Sequence, residues 1–287
     1  MGVIMGFRPC MTRDDPFTRQ VRQTYRAGVV LAPRTGIEPL DALAVDKNRR
    51  VQQRGRLANL IAGEVPVLPQ PTSEEVAGLG GLRSAAVDVG IGAELSANFL
   101  AALGVPLPSA SLETSLWEGA SKLMFEVREV TQHEVDISQL GRELEGRRIQ
   151  RNATTDLFFT SSATKLHVIT RTLTSPSFAV TATNNKGQSF QVGVDGLADV
   201  LGQAHGRVSW EVEHQNTLSF RSGKPATFAF SAVPCGVFED GTFVFGLESV
   251  DLTFGDSQEV DTSPRPIVDE PGLLFFDNEP DQGMSSG

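Results

Sequence analysis

The sequence predicts an α+β fold: a twisted, mainly antiparallel sheet with short peripheral helices and a separate C-terminal peptide. Three observations carry this. Downstream of Asp156, several segments alternate apolar and polar residues with period two, as half-buried antiparallel strands do. Turn signals such as Asn185-Lys186-Gly187, Gly223-Lys224 and Asp240-Gly241 separate them. Residues 256–287 lose the periodicity and read as an acidic tail rich in Pro, Gly and Ser, interrupted by one apolar run, Leu273-Leu274-Phe275-Phe276.

Taken in order, residues 1–14 form a leader in which Met1 or Met5 is the start. Cys10 stands there among Phe, Met and Arg; the residues allow either S-acylation, favoured by transient membrane contact, or a plain exposed thiol. After Asp15-Pro16, the spacing of Phe17, Val21 and Tyr25 predicts a short basic helix. Val29-Val30-Leu31 reads as a buried strand. Arg54 to Glu64 fits helix or strand, and Pro66, Pro69 and Pro71 make the next stretch a loop or an edge. Ala86 to Ile91 is strand-like and leads into a helix with Leu95, Phe99, Leu100 and Leu103. Gly90-Ile91-Gly92 at that junction lacks the third glycine of a dinucleotide loop, since Leu95 stands in its place. Leu112 to Val135 reads as a long strand and Ser138 to Arg148 as a polar helix. Leu157–Phe159, Leu166–Arg171, Phe178–Thr181, Gln188–Val194, Val208–Val212, Leu218–Phe220, Ala226–Val233 and Thr242–Leu247 read as strands, with a helical turn or two over Asp195–Leu201.

At 287 residues and 40% hydrophobic content, the chain can bury a substantial core. A net charge of −10, with no basic-aromatic stripe, excludes a nucleic-acid partner. The charge is uneven. Residues 256–287 hold eight acids against Arg265 alone and so account for −7 of the total. Residues 1–60 carry 11 Lys and Arg against five acids, a surplus of +6 able to face either that tail or an anionic membrane. Two cysteines, Cys10 and Cys235, make no disulfide framework and suit a reducing cytoplasm. There is no secretory signal and no run of 18 apolar residues, so a membrane contact must use strands, an amphipathic surface or a lipid. Thr-rich alternating hairpins can equally line a membrane barrel.

Chemistry is sparse. His133, His167, His205 and His214 are scattered without metal spacing, and neither cysteine sits in a nucleophile motif. His167, inside a strand, reads as a core residue. No catalytic constellation or cofactor loop emerges, so the chain reads as a non-enzyme. The tail is different. Leu273, Leu274, Phe275 and Phe276 would each gain roughly 1.5–3 kcal/mol on full burial, before the cost of ordering the segment. They predict a plug that folds back onto the body through a flexible, cleavable linker; an ordinary terminal strand or helix is the plainer alternative.

Two stretches resemble a known family. Asp15-Pro16-Phe17, Tyr25, Val29 to Arg34, Ile37 and Pro39-Leu40 are similar to the opening of bacterial gasdermins, and Gly223 to Val233 (GKPATFAFSAV) resembles the family's late strand, one residue tighter. The resemblance spans about 14–247, and departs from the family in its long leader and in the prolines near 66–71. It implies a pore-forming protein of antiphage defence, with residues 15–255 as the pore-forming domain and 256–287 as an acidic linker and inhibitory peptide. It further implies a monomer in the cytoplasm that a protease cuts, and that then assembles into a homo-oligomeric β-barrel on anionic lipid of the inner membrane. It makes Cys10 a palmitoylation site. Arg265, Asp261 and Asp269 are the candidate cleavage positions, with Pro266 standing against trypsin-like cutting after Arg265. A protein-interaction module without pore activity stays open as the other class.

Overall fold

The computed structural model describes residues 21, 23, 25–46, 50–76, 82–84, 86–105, 107–161, 164–184, 208–245 and 275–276. The predicted leader, the elements over 185–201 and most of the tail lie outside them.

Among the described residues, Val21, Gln23 and Tyr25 are helical and lead into strands β1 (Gly28–Arg34), β2 (Asp41–Asp46) and β3 (Arg50–Arg56). A 3-10 turn, Leu57–Leu60, follows; it buries Leu57 and Leu60. Then come β4 (Thr72–Glu75), β5 (Leu82–Arg83), β6 (Val87–Asp88), α1 (Val89–Ala102) and α2 (Ser109–Leu116). β7 (Lys122–Arg128), β8 (Thr131–Glu134), α3 (Ile137–Leu144) and α4 (Leu157–Thr160) lead to the long strand β9 (Thr164–Thr183). The remainder is β10 (Val208–His214), β11 (Thr217–Val237), β12 (Phe243–Phe245) and the tail strand β13 (Phe275–Phe276).

All pairings are antiparallel except that of β13, as the alternating pattern predicts. β9 and β11 pair along nearly their whole length and act as a spine. At one end of the spine the neighbours are β7 and β10; at the other they are β2 and β1, with β8 between β2 and β7 along β9.

Four local readings are corrected. Leu166–Arg171 and Phe178–Thr181 are not two strands but parts of β9, and Leu218–Phe220 and Ala226–Val233 are parts of β11. The turn signals survive as irregularity: the register shifts between Arg221 and Ala226, opposite Pro176. A proline can sit there because the ladder asks no N–H of it. Leu157–Phe159 is helical, not extended, because Asn152 accepts from the amides of Thr154 and Thr155 (2.9 and 3.2 Å) and starts a turn. Leu112 to Val135 is no single strand: Leu112 and Leu116, four apart on α2, are both buried, a helical period misread as extension. Arg54 to Glu64 divides between β3 and the 3-10 turn.

Three apolar clusters hold these layers. The first lies under α1 and α2 and includes Phe99, Phe125, Phe178 and Phe220, whose rings stand 4.9 to 6.5 Å apart between centroids. Gly92 of α1 sits directly on Leu123 of β7; a Cβ there would fall 2.6 Å from Leu123 Cδ1. So Gly92 serves close helix–sheet packing. The second cluster joins α3, with Leu140 and Leu144, to Leu166, Val168 and Cys235. The third lies at the β1–β3 end.

Candidate functional site: the strand ring closed by the tail

The third cluster consists of Val30, Ile37, Leu43, Val45, Val51, Ile169, Phe230 and Ala232. Those residues come from β1, the following loop, β2, β3, β9 and β11. The strand path there runs β1-β11-β9-β2-β3-β13. Its two ends meet, because β13 also comes within 8 Å of β1 between Cα atoms. Five strands thus curl around one apolar filling, and the two-residue tail strand spans the seam between the first and the last.

The seam is a backbone contact. β13 pairs parallel to β3, Phe275 opposite Arg50 and Phe276 opposite Val51. Val51 is fully buried and faces Val45 across the β2–β3 ladder. A tail strand here covers the free edge of β3, where unpaired N–H and C=O groups would otherwise be open to another chain. Leu273 and Leu274, the other half of the predicted plug, lie outside the described residues. So do Cys10, Arg265, Asp261 and Asp269.

β3 is held in place by a polar knot. Asp41, 2% exposed at the start of β2, accepts hydrogen bonds from the Glu38 amide (2.9 Å), Gln53 Nε2 (2.9 Å) and Arg56 Nη1 (3.3 Å). Burial pushes its carboxyl above the usual range, while the Glu38 amide and Arg56 pull the other way. Arg56 also reaches Glu38 at 2.9 Å. Gln53 and Arg56 are β3 residues, so the knot fixes the strand whose outer edge takes the tail.

His167 lies opposite Leu43 in the β2–β9 register and therefore faces the ring interior. Burial pushes its imidazole down to about 4, with a hydrogen bond between Nδ1 and the Lys165 carbonyl (3.3 Å) opposing weakly. The sequence reading of it as a core residue holds. Near the ring, the end of the N-terminal helix is tied to the spine: Arg171 Nη1 donates to the Tyr25 carbonyl (2.5 Å) and Nη2 to Glu134, and Ser231 Oγ donates to the Arg26 carbonyl (2.7 Å). Sequence reasoning missed this tie and the Asp41 knot; a buried Asp flanked by apolar residues in Leu40 to Val45 was the available signal.

Among the described residues, no group of three or more His, Cys, Asp or Glu could hold a metal ion. Among them, too, no helix is long and apolar enough to cross a membrane.

Several comparisons bear on identity. No curated protein sequence matches the chain significantly. A bacterial gasdermin from Bradyrhizobium tropiciagri aligns with a TM-score of 0.60 at 16% identity, over 82% of this chain and 92% of that one, which shows a shared fold. The Gasdermin A3 membrane pore aligns over 82% of this chain and 96% of that one, but at a TM-score of 0.34 and 8% identity, too loosely to carry an argument. The family model for the Bacterial Gasdermin Family matches residues 30–251. With that match covering most of its length, the chain belongs to the bacterial gasdermins, a family that forms pores, needs no cofactor and catalyses no reaction.

Proposed function

We propose that this chain is an autoinhibited pore former of antiphage defence, silenced by its own C-terminal peptide until a protease removes it. The observation that carries the reading is the β13–β3 pairing, which supports the tail as a removable strand on an otherwise open sheet edge. Cleavage falls in the acidic linker, at Arg265, Asp261 or Asp269. Loss of residues 266–287 removes five acids together with Leu273 to Phe276. The freed edge and the apolar ring then turn toward self-association, and the basic residues of 1–60 toward anionic lipid of the inner membrane. A palmitoyl group on Cys10 anchors the leader. The body passes from a cytoplasmic monomer to a membrane oligomer whose strands extend into a β-barrel.

Dye release from anionic liposomes tests this, using the full chain with a specific protease site placed between Asp256 and Arg265. Release is expected only after cutting, and Leu274→Asp is expected to release dye uncut. In cells, Cys10→Ala should slow killing after the chain is cut. Silence from cut protein that stays monomeric would move the reading to a protein-interaction module.

A further inference from the structure

At the far end of the spine from the ring, the sheet runs β7-β9-β11-β10. One face packs under α1 and α2 through Phe125, Phe178, Val180 and Phe220. The opposite face carries small residues on the two central strands: Ser177, Ala179 and Thr181 of β9, Thr217 and Ser219 of β11. Ala179 is only 1% exposed, although among the described residues no helix packs on that side. Charged side chains of the neighbouring strands pair with one another on this face. Arg128 of β7 makes a two-pronged pair with Glu213 of β10: Nη1 reaches Oε1, and Nη2 donates to Oε2 at 3.0 Å. Arg128 also meets Glu126, which in turn pairs with Arg83 of β5. Arg221 of β11 reaches back to Glu129, just past β7, at 2.7 Å.

The geometry of the Arg128–Glu213 pair constrains the sheet. Arg128 is in register with Ser177, Ser177 with Arg221, and Arg221 with Ser209. Glu213, the bulged residue between Val212 and His214, therefore lies three strands across from Arg128 and between three and four residues along. In a flat sheet those Cα atoms would stand about 19 Å apart, from strand spacings near 4.8 Å and a rise near 3.3 Å per residue. An arginine and a glutamate rising from the same face cannot close that gap. The pair exists only because the sheet is curled around that face, with small residues beneath it leaving room for the guanidinium. Glu213 is held well into its charged form by Arg128, and both side chains are about three-quarters buried (27% and 26% exposed), so the contact is more than a solvated surface pair.

We propose that the Arg128–Glu213 pair is a curvature latch: it holds this four-stranded sheet in its curled state and must break before the strands can enter a wide barrel. The inference rests on the pore reading above. Barrel diameter grows with strand number, so a large barrel is locally close to flat. Flattening separates Arg128 from Glu213 and leaves each charge to water. The latch sits away from the β13–β3 seam, so it sets how fast a cut body opens and not whether the uncut chain is silent.

Three variants test it in the cleavable full chain: Glu213→Gln, Arg128→Met, and the charge swap R128E/E213R, all made with Glu126→Gln because Glu126 also meets Arg128. After cutting, each single variant should shorten the lag before dye release by about 3- to 10-fold, the effect of one partly buried ion pair on a barrier. The swap should restore most of the lag, and all uncut forms should stay silent. The lag of Glu126→Gln alone in the single variants, or a swap as fast as they are, would overturn the latch. If cut wild-type protein releases no dye at all, the pore reading fails, and hydrogen exchange of the uncut chain decides the latch. Amides of residues 122–128 and 208–214 should then exchange faster in both single variants and regain protection in the swap. Unchanged exchange would overturn it.

Discussion

At the scale of single residues, His167 shows how the ring filling depends on a neutral imidazole. Its proton affinity in the folded chain is depressed to about 4, against 6.5 for an unburied histidine. The unfolded chain binds the proton first as pH falls, so this site is stability-neutral above about 7 and increasingly costly between 6.5 and 4. From pH 7 to pH 5 it should remove about 2 kcal/mol from the unfolding free energy. His167→Leu should flatten this part of the acid limb in urea melts at the two pH values. Equal losses in both proteins would mean that the imidazole is solvated and not facing the ring interior.

At the scale of elements, the α1–β7 contact leaves no room for a side chain at Gly92. Gly92→Ala places a methyl group 2.6 Å from Leu123 Cδ1, so helix and strand must separate. A loss of about 1–3 kcal/mol is expected, as for other overpacked cores, and it should appear as a lower urea midpoint. Combined with Leu123→Gly, which also removes the Cβ that would stand 2.7 Å from the new methyl, the loss should be less than additive, because the two changes share one volume. Strict additivity would show that Gly92 is needed for its backbone and not for its missing side chain. The same contact gives Gly92 a packing reason to be glycine: Leu123 occupies the space that its side chain would fill.

At the scale of the whole molecule, charge and edge protection act together. The tail brings −7 to a chain whose first 60 residues carry +6. A chain ending at Gly255 should therefore sediment with anionic vesicles at low salt and be released as ionic strength rises, while the full chain stays in the supernatant. Because truncation also uncovers the β3 edge, the shortened protein should enlarge on gel filtration even without lipid. Salt-independent sedimentation would assign the attraction to the apolar ring instead of charge.

Much of this protein was legible in its sequence. Period-two alternation in several segments downstream of Asp156 predicted the antiparallel pairing of β9, β10 and β11, and the spacing of Leu140 and Leu144 predicted α3. The apolar run at 273–276 stood out because it is the longest in an acidic, proline-rich tail, and the charge split between the ends needed only counting. These are local properties, written in neighbours along the chain. Whether Gly223-Lys224 breaks a strand or merely bulges it depended on what lies opposite, and Pro176 of β9 lies there. That the tail strand pairs with β3 and closes a ring against β1 depended on the curl of the sheet. So did the meeting of Arg128 with Glu213, 85 positions apart and three strands across. Sequence records each residue's preference for water or for apolar surroundings; which distant groups meet is decided only when the sheet bends, because curvature is a property of all its strands at once.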